Sequence, residues 1–389
     1  MNLILASDSF KGSLSSGEVN SILQKAAEDV FGMCECRKVM IADGGEGTLE
    51  AVMGDGNSGK YEIMEIPVTG PLGDIIKASY IKKGNRAVIE MAMASGLPLL
   101  DEDKRNPMNT TTKGTGELIT HALQAGCTEI YVGIGGSATN DGGTGAMTAL
   151  GFKFLDKEGN CLEGKGRNLI KISSIDDSCV IPELKKAKFT VMCDVVNPLT
   201  GSMGATYVYG PQKGANQDML GALEAGMLNY QSVLQDYVNK KQFVNRRNAE
   251  QTLETVSGLG AAGGLGAALY VFTDSVMKSG IDVLLDLNGF DDMLDSAEMV
   301  VTGEGKTDYQ SACGKVVHGI AKRCKEKNVP LFVISGSLSG DLDSLYEAGV
   351  TSMEASVCSI MDIDEAMTNA DKYLYNAAVR IFRTIRSFR

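Results

Sequence analysis

Seven glycines fall within nineteen residues in the run Gly133–Gly151, GIGGSATNDGGTGAMTALG. The run follows the apolar stretch Glu129–Val132 and leads into small residues, so it reads as strand, glycine loop and helix start. Glycine permits close backbone approach, and a helix N-terminus offers unpaired N–H groups to an anion. Ser137, Thr139, Asn140 and Asp141 add side chains that can donate, accept or hold a metal. A tight turn needs one or two glycines; seven point to backbone laid against phosphate. Gly135, Gly136, Ser137, Asn140, Gly142 and Gly143 are the expected phosphate contacts, with Asn140 and Asp141 facing the ligand. The standard nucleotide motifs do not fit. A Walker A loop needs Lys and then Ser or Thr after its second glycine, but Gly136 is followed by Ser137 and Ala138. GxGxxG fails at Ala138, and the GKT at Gly305–Thr307 has Val300 where its loop would open.

Four further loops place charge beside glycine or threonine. In SDSFKGSLSS, Asp8 and Lys11 precede a helix that Ser15 or Ser16 caps with Glu18; capping leaves Asp8 and Lys11 unexplained. In ADGGEGT, Asp43 and Glu46 follow a strand, a usual place for metal-holding carboxylates. In DKRNPMNTTTKGTGELI, Arg105 can clamp a carboxylate bidentately, while Thr111 and Thr112 before a helix suit an anionic substrate. In CDVVNPLTGSMGATYVYGPQKGAN, Asp194 ends an apolar run as a candidate metal ligand or base, and Lys213 is a candidate phosphate contact.

Composition narrows the chemistry. The chain has only two histidines, His121 and His318, both in helix-like stretches. Acid–base work therefore falls mainly to carboxylates and lysines, an inventory that suits phosphoryl transfer. A net charge of −12 disfavours nucleic acid as partner, though a small anion responds to the local site. Nine scattered cysteines with no CxxC suggest reduced, mostly buried thiols in a cytosolic protein. Nothing approaches eighteen consecutive apolar residues. The start, MNLILASDSF, lacks a basic region and is expected to be a buried strand, not a leader.

These loops need elements to hold them. Strands are expected at Asn2–Ser7, Arg37–Ile41, Phe189–Cys193, Glu298–Thr302 and Pro330–Ile334, with helices at Ser15–Val30, Thr48–Met53 and Val316–Lys327. Strand–helix alternation describes an α/β parallel sheet. Residues 60–94 read as antiparallel strands with turns at Pro67–Gly73 and Lys82–Asn85, and Gly258–Leu269 opens another helix. A final helix over Ile363–Phe388 would carry Arg380, Arg383, Arg386 and Arg389 as a solvated face. With 389 residues, two domains are expected. One is an α/β domain from both chain ends, 1–58 plus 292–389; the other is a mixed α/β domain, 59–291, inserted between them.

Taken together, SDSFKG, ADGGEGT, RNP with TTKGTGELI, GIGGSATNDGGTGAM, DVVNPLTG with YGPQKGA, GAAGGLGAAL and TGEGKTDYQSACGK resemble the motif series of the type 1 (bacterial) glycerate kinases. The match runs from Ala6 to beyond Gly336, with no departure at the charged positions. The resemblance implies ATP-dependent phosphorylation of D-glycerate with Mg2+ in the cytoplasm. It also implies a Rossmann-like domain and an inserted domain with the site in the cleft between them. The expected product is 2-phosphoglycerate, with 3-phosphoglycerate or another small hydroxy-acid substrate as alternatives. On this reading the loop Gly133–Gly145 holds ATP, and Lys11 or Lys213 offsets charge on the transferred group. Asp194 and Asp43 hold magnesium, Asp8 or Asp141 accepts the hydroxyl proton, and Arg105 clamps the substrate carboxylate. Kinases of the galactokinase–homoserine kinase group have a differently formed serine-rich loop. A non-enzymatic anion or nucleotide sensor would not need Asp194, Asp43 and Lys213 together. Monomer and homodimer both remain open.

Overall fold

In a computed structural model describing residues 1–41, 47–57, 61–241, 253–254, 256–308 and 316–388, Asn2–Leu5 is a strand with Leu3, Ile4 and Leu5 buried. A strand apolar on both faces belongs in a parallel sheet covered by helices. Five strands run parallel in the order Val350–Ala355, Leu331–Ser335, Met299–Thr302, Asn2–Leu5, Glu35–Lys38. Leu3 and Leu5 pack with Val19 and Leu23 of the helix Ser16–Phe31. Ile4 turns the other way, into a core with Val317 and Ile320 of the helix Val316–Lys327. Ser15 caps Ser16–Phe31 in a reciprocal box with Glu18, as its sequence predicts.

The second sheet has six strands in the order Val276–Lys278, Lys188–Met192, Glu129–Gly133, Arg86–Glu90, Ile75–Lys83, Glu62–Thr69. The first four are parallel; the last two form the expected antiparallel hairpin. Its core joins Ile89, Ile130, Val132 and Val191 to Leu118 and Ile119 of the helix Lys113–Gln124 and to Leu265 and Leu269 of Leu265–Thr273.

The chain divides into two compact units, Met1–Asp43 with Glu50–Lys60 and Ser279–Arg389, and Gly44–Leu49 with Tyr61–Lys278. The second crossing thus lies between Lys278 and Ser279 rather than near Asp292. The reason is packing: Ile281, Leu285, Phe290 and Leu294 share a core with Val300 and Val317. The chain is a mixed α/β protein, with a parallel-sheet unit built from both ends.

Some local expectations differ from what is found. The C-terminal helix is two helices, Ile363–Thr368 and Ala370–Ser387, parted at Asn369, where φ is −110°. Its described arginines, Arg380, Arg383 and Arg386, are exposed as expected, with Arg380 pairing with Glu354 at 2.8 Å and Arg386 donating to Val30 O at 2.9 Å; Arg389 lies outside the described residues. Among the described cysteines only Cys127 and Cys324 are buried, while Cys161, Cys179 and Cys358 are exposed. Both histidines do occupy helices, with His121 Nδ1 2.9 Å from Tyr80 Oη. No helix among the described residues is long and apolar enough to cross a membrane.

Candidate functional site

The strands Arg86–Glu90, Glu129–Gly133 and Lys188–Met192 are parallel neighbours, and the glycine run leaves the middle one. Three backbone bonds tie it to the segment after Glu90. Met91 N donates to Gly133 O (2.9 Å), Leu97 N to Gly136 O (2.8 Å), and Ala138 N to Ser95 O (2.9 Å). On the other side the register Gly133↔Met192 makes Cys193–Asp194 leave the sheet beside Ile134–Gly135. Loops at the carboxyl ends of parallel strands are where such sheets bind ligands.

Asp141 organises the run. It has zero exposure. Its Oδ2 accepts from Thr112 N (2.8 Å), Thr112 Oγ1 (2.8 Å) and Gly145 N (3.2 Å), and its Oδ1 from Gly143 N (3.1 Å). Thr112 Oγ1 in turn accepts from Ala146 N at 2.9 Å. One carboxylate thus joins the start of Lys113–Gln124 to the start of the helix Thr144–Ala149. Burial pushes the carboxyl above the usual carboxylate range, and the four donors oppose that shift.

The later glycines serve packing. A Cβ on Gly142 would lie 2.6 Å from the Tyr230 ring, and one on Gly143 2.5 Å from Ala268 Cβ. Between Gly133 and Gly145 the accessible part of the run is Gly135 and Gly136, with Ser137 at its edge, 9% exposed. Asn140 and Asp141 have zero exposure, so neither is open to solvent in this arrangement.

Lys213 is likewise enclosed, with 1% exposure. It does not present its charge to open space. Its Nζ donates to Ser137 Oγ (2.8 Å) and to Thr139 O (2.7 Å). The ammonium has no acceptor lone pair, so Ser137 receives that bond and its own proton points elsewhere. Lys213 therefore acts through Ser137. Burial lowers its pKa from 10.5 to about 7, with Asp141 opposing.

Arg105 adjoins this group, because its carbonyl oxygen lies 2.3 Å from where Gly214 would carry a Cβ. Its Nε is buried with no hydrogen-bond partner among the described residues, and Glu102 Oε1 is 3.8 Å from Nη1. Thr110 Oγ1 donates to Ala138 O (3.0 Å), and Thr111 Oγ1 accepts from Lys113 N (3.2 Å). Arg105, Thr110–Thr112, Lys213 and Ser137–Asp141 are thus gathered in one unit. Asp194 is exposed just past Lys188–Met192 in that unit. Asp8 and Lys11 belong to the other unit, where Asp8 N donates to Gly303 O at 2.8 Å. Asp43 and Glu46, with Tyr309–Lys315 of the last motif, lie outside the described residues.

Two residues escaped the sequence reading. Glu90, 4% exposed at the end of its strand, accepts from Leu49 N at 2.6 Å. Its signal was legible as a carboxylate closing the apolar run Ala87–Ile89. Tyr230, buried with its hydroxyl unpartnered, packs on Gly142 from the long helix Gln217–Lys241. Nothing in that helix's sequence marks it.

Two outcomes follow from this geometry. Asp141→Asn sets an amide against backbone donors, and a buried group mispaired in this way costs about 2–5 kcal/mol. Thermal unfolding should show a large fall in Tm; an unchanged Tm with only kcat lost would instead mark a general base. For Lys213, the unfolded chain keeps its proton up to pH 10.5, and the folded chain releases it near pH 7. The unfolded state therefore binds more protons between those values, and this group makes stability climb as pH rises through them. In Lys213→Met, urea midpoints should lose that part of their pH slope.

Residues 3–386 match the model of the glycerate kinase family. The chain is 41% identical over 388 residues to a glycerate kinase of Bacillus subtilis (strain 168), covering 99% of this chain and 98% of that one. It is 39% identical over 387 residues to a protein of Escherichia coli (strain K12) named glycerate 2-kinase, covering 99% and 98%. A Salmonella typhimurium LT2 crystal structure, solved as a candidate glycerate kinase 2, superposes with a TM-score of 0.83 at 37% identity over 100% of this chain and 98% of that one. With sequence and fold matching end to end, the chain belongs to the glycerate kinase family, a family of phosphotransferases.

Proposed function

We propose that the chain transfers the γ-phosphoryl group of ATP to the 2-hydroxyl of D-glycerate, giving 2-phosphoglycerate and ADP. Arg105 carries this reading for the substrate, since its buried Nε lacks a partner and a guanidinium matches a carboxylate bidentately. The name of the Escherichia coli relative supports the 2-position over the 3-position. ATP supply places the reaction in the cytoplasm.

In the step itself the 2-hydroxyl oxygen bonds to the γ-phosphorus as the bond to the ADP oxygen breaks, and the hydroxyl proton passes to a carboxylate. Positioning and charge do most of this work. Arg105 holds the glycerate carboxylate, and Ser137, its acceptor site filled by Lys213, offers a hydroxyl donor to the anion. Thr111 and Thr112 hold the loop that carries these groups. Of the two candidate bases, Asp141 is enclosed by its four donors, so the role goes to the partly exposed Asp8. Lys11, exposed, offsets triphosphate charge.

Among the described residues no three His, Cys, Asp or Glu side chains gather as a metal cage. Mg2+ takes one or two carboxylates together with substrate phosphates. Asp194, with an exposed carboxylate past a strand end, fits that part, and Asp43 is the second candidate; the ion would neutralise phosphate charge.

Phosphorus NMR of ATP with D-glycerate, with glycerol and lactate as controls, tests the reaction. The expected result is ADP with 2-phosphoglycerate from glycerate alone. A 3-phosphoglycerate signal would reassign the product, turnover of lactate the substrate, and no ATP consumption would leave an anion sensor. Arg105→Lys should raise KM for glycerate about tenfold, the loss of one charge-assisted bond of about 1.5 kcal/mol, with KM for ATP unchanged.

A further inference from the structure

A buried amine stands at the open end of the glycine run with only neutral oxygens as acceptors. Lys213 Nζ donates to Ser137 Oγ (2.8 Å) and to Thr139 O (2.7 Å). Asp141, the carboxylate of the same run, turns its oxygens to Thr112, Gly143 and Gly145 instead. Thr139 Oγ1 and Asn140 Oδ1 are buried with no hydrogen-bond partner among the described residues. A cation held in this way is poorly solvated, which favours loss of its proton.

Two proton arrangements fit the same distances. A charged Nζ donates to Ser137, whose own proton is then available to a ligand. A neutral Nζ still donates to Thr139 O, but its lone pair takes the serine proton, and Ser137 shows only lone pairs to the open side. Only the first arrangement offers an anion a donor. An anion beside Ser137 stands one hydroxyl away from Nζ, and its charge favours the protonated amine.

Burial lowers Lys213 to about 7, and the charge of Asp141 opposes that. The helix Ala205–Tyr209 beside Pro211–Lys213 carries Tyr207, which is exposed, and Tyr209, bonded to Asn197 Oδ1 at 2.7 Å. The helix Gln217–Lys241 brings Glu224, which accepts from Gly201 N at 2.6 Å, and the enclosed Tyr230. Burial holds Tyr209 and Tyr230 above their usual value. Arg105, behind Gly214, keeps its charge. Residues 91–97, bridged to the run at Ser137, and 106–112 carry no titratable side chain.

We propose that Lys213 takes up a proton as glycerate binds, so that the site becomes cationic only when its anion arrives. Lys213 is a positioning residue in this scheme, since it acts through the hydroxyl of Ser137. The coupling rests on the kinase reading above, which sets the anion at Ser137.

Calorimetry of D-glycerate binding to the full chain, without ATP, tests this in two buffers of different ionisation heat. Proton uptake should be close to zero at pH 6 and approach one per site at pH 8.5. Over the same range Kd should rise about thirtyfold, the factor by which a group titrating near pH 7 is depleted of its charged form. Lys213→Met should bind weakly at both pH values with no uptake, which separates Lys213 from the buried Asp141. Ser137→Ala removes the hydroxyl between amine and anion and should cut the uptake at pH 8.5 by at least half. A constant Kd, uptake that persists in Lys213→Met, full uptake in Ser137→Ala, or no binding at either pH overturns the proposal. The two readings fail separately. Proton-linked glycerate binding without phosphoryl transfer from ATP removes the kinase reading and keeps the coupling; normal turnover with a constant Kd does the reverse.

Discussion

A single buried carboxylate sets the geometry of the inserted unit. Asp141 lies out of water and is surrounded by donors from two helix starts. A helix start has N–H groups with no partner within the helix, and here one side chain answers both. The orientation of Thr112, the approach of Gly145 and the path of the chain back to Ser137 follow from that point. Remove the charge and the donors of two elements lose their common acceptor. The open segment Gly135–Ser137 is small because so much of the run serves this junction.

Lys213 and Arg105 show two ways for a protein of net charge −12 to prepare for an anion. Lys213 is enclosed, bonded only to neutral oxygens of Ser137 and Thr139. Its influence reaches outward through the orientation of a hydroxyl. Arg105 keeps its guanidinium partly exposed, with Nε unpartnered. One fixes a donor and the other supplies the charge. Global acidity says nothing against either, since the field that a small ligand meets is local.

Much of this was legible in the sequence, for reasons that can be named. The apolar run at Asn2–Leu5, the Ser15–Glu18 pair and the hairpin from Glu62 to Lys83 are local signals, and each element formed where its residues required. The glycines were expected to lie against phosphate, and at Gly142 and Gly143 protein side chains come close instead. What approaches was not readable: Tyr230 and Ala268 come from segments far along the chain, and spacing carries no record of them. The same limit hid the burial of Lys213, whose surrounding turn reads as surface. Asn369 parts two helices that periodicity alone would join, its side-chain amide donating to Glu365 O at 3.1 Å.

The pairing of Leu3 with Met299 also has a consequence during synthesis. Asn2–Leu5 is an interior strand, flanked on one side by Glu35–Lys38 and on the other by Met299–Thr302. At roughly 5–20 residues per second, a ribosome needs about 15–60 s to make the chain between those partners. Throughout that interval an apolar interior strand has one edge without its neighbour, while the inserted unit has every strand it needs by Lys278. The insertion thus folds first, and the unit that begins the chain is the last to close. Slowed translation beyond residue 278 would prolong the exposure of that edge.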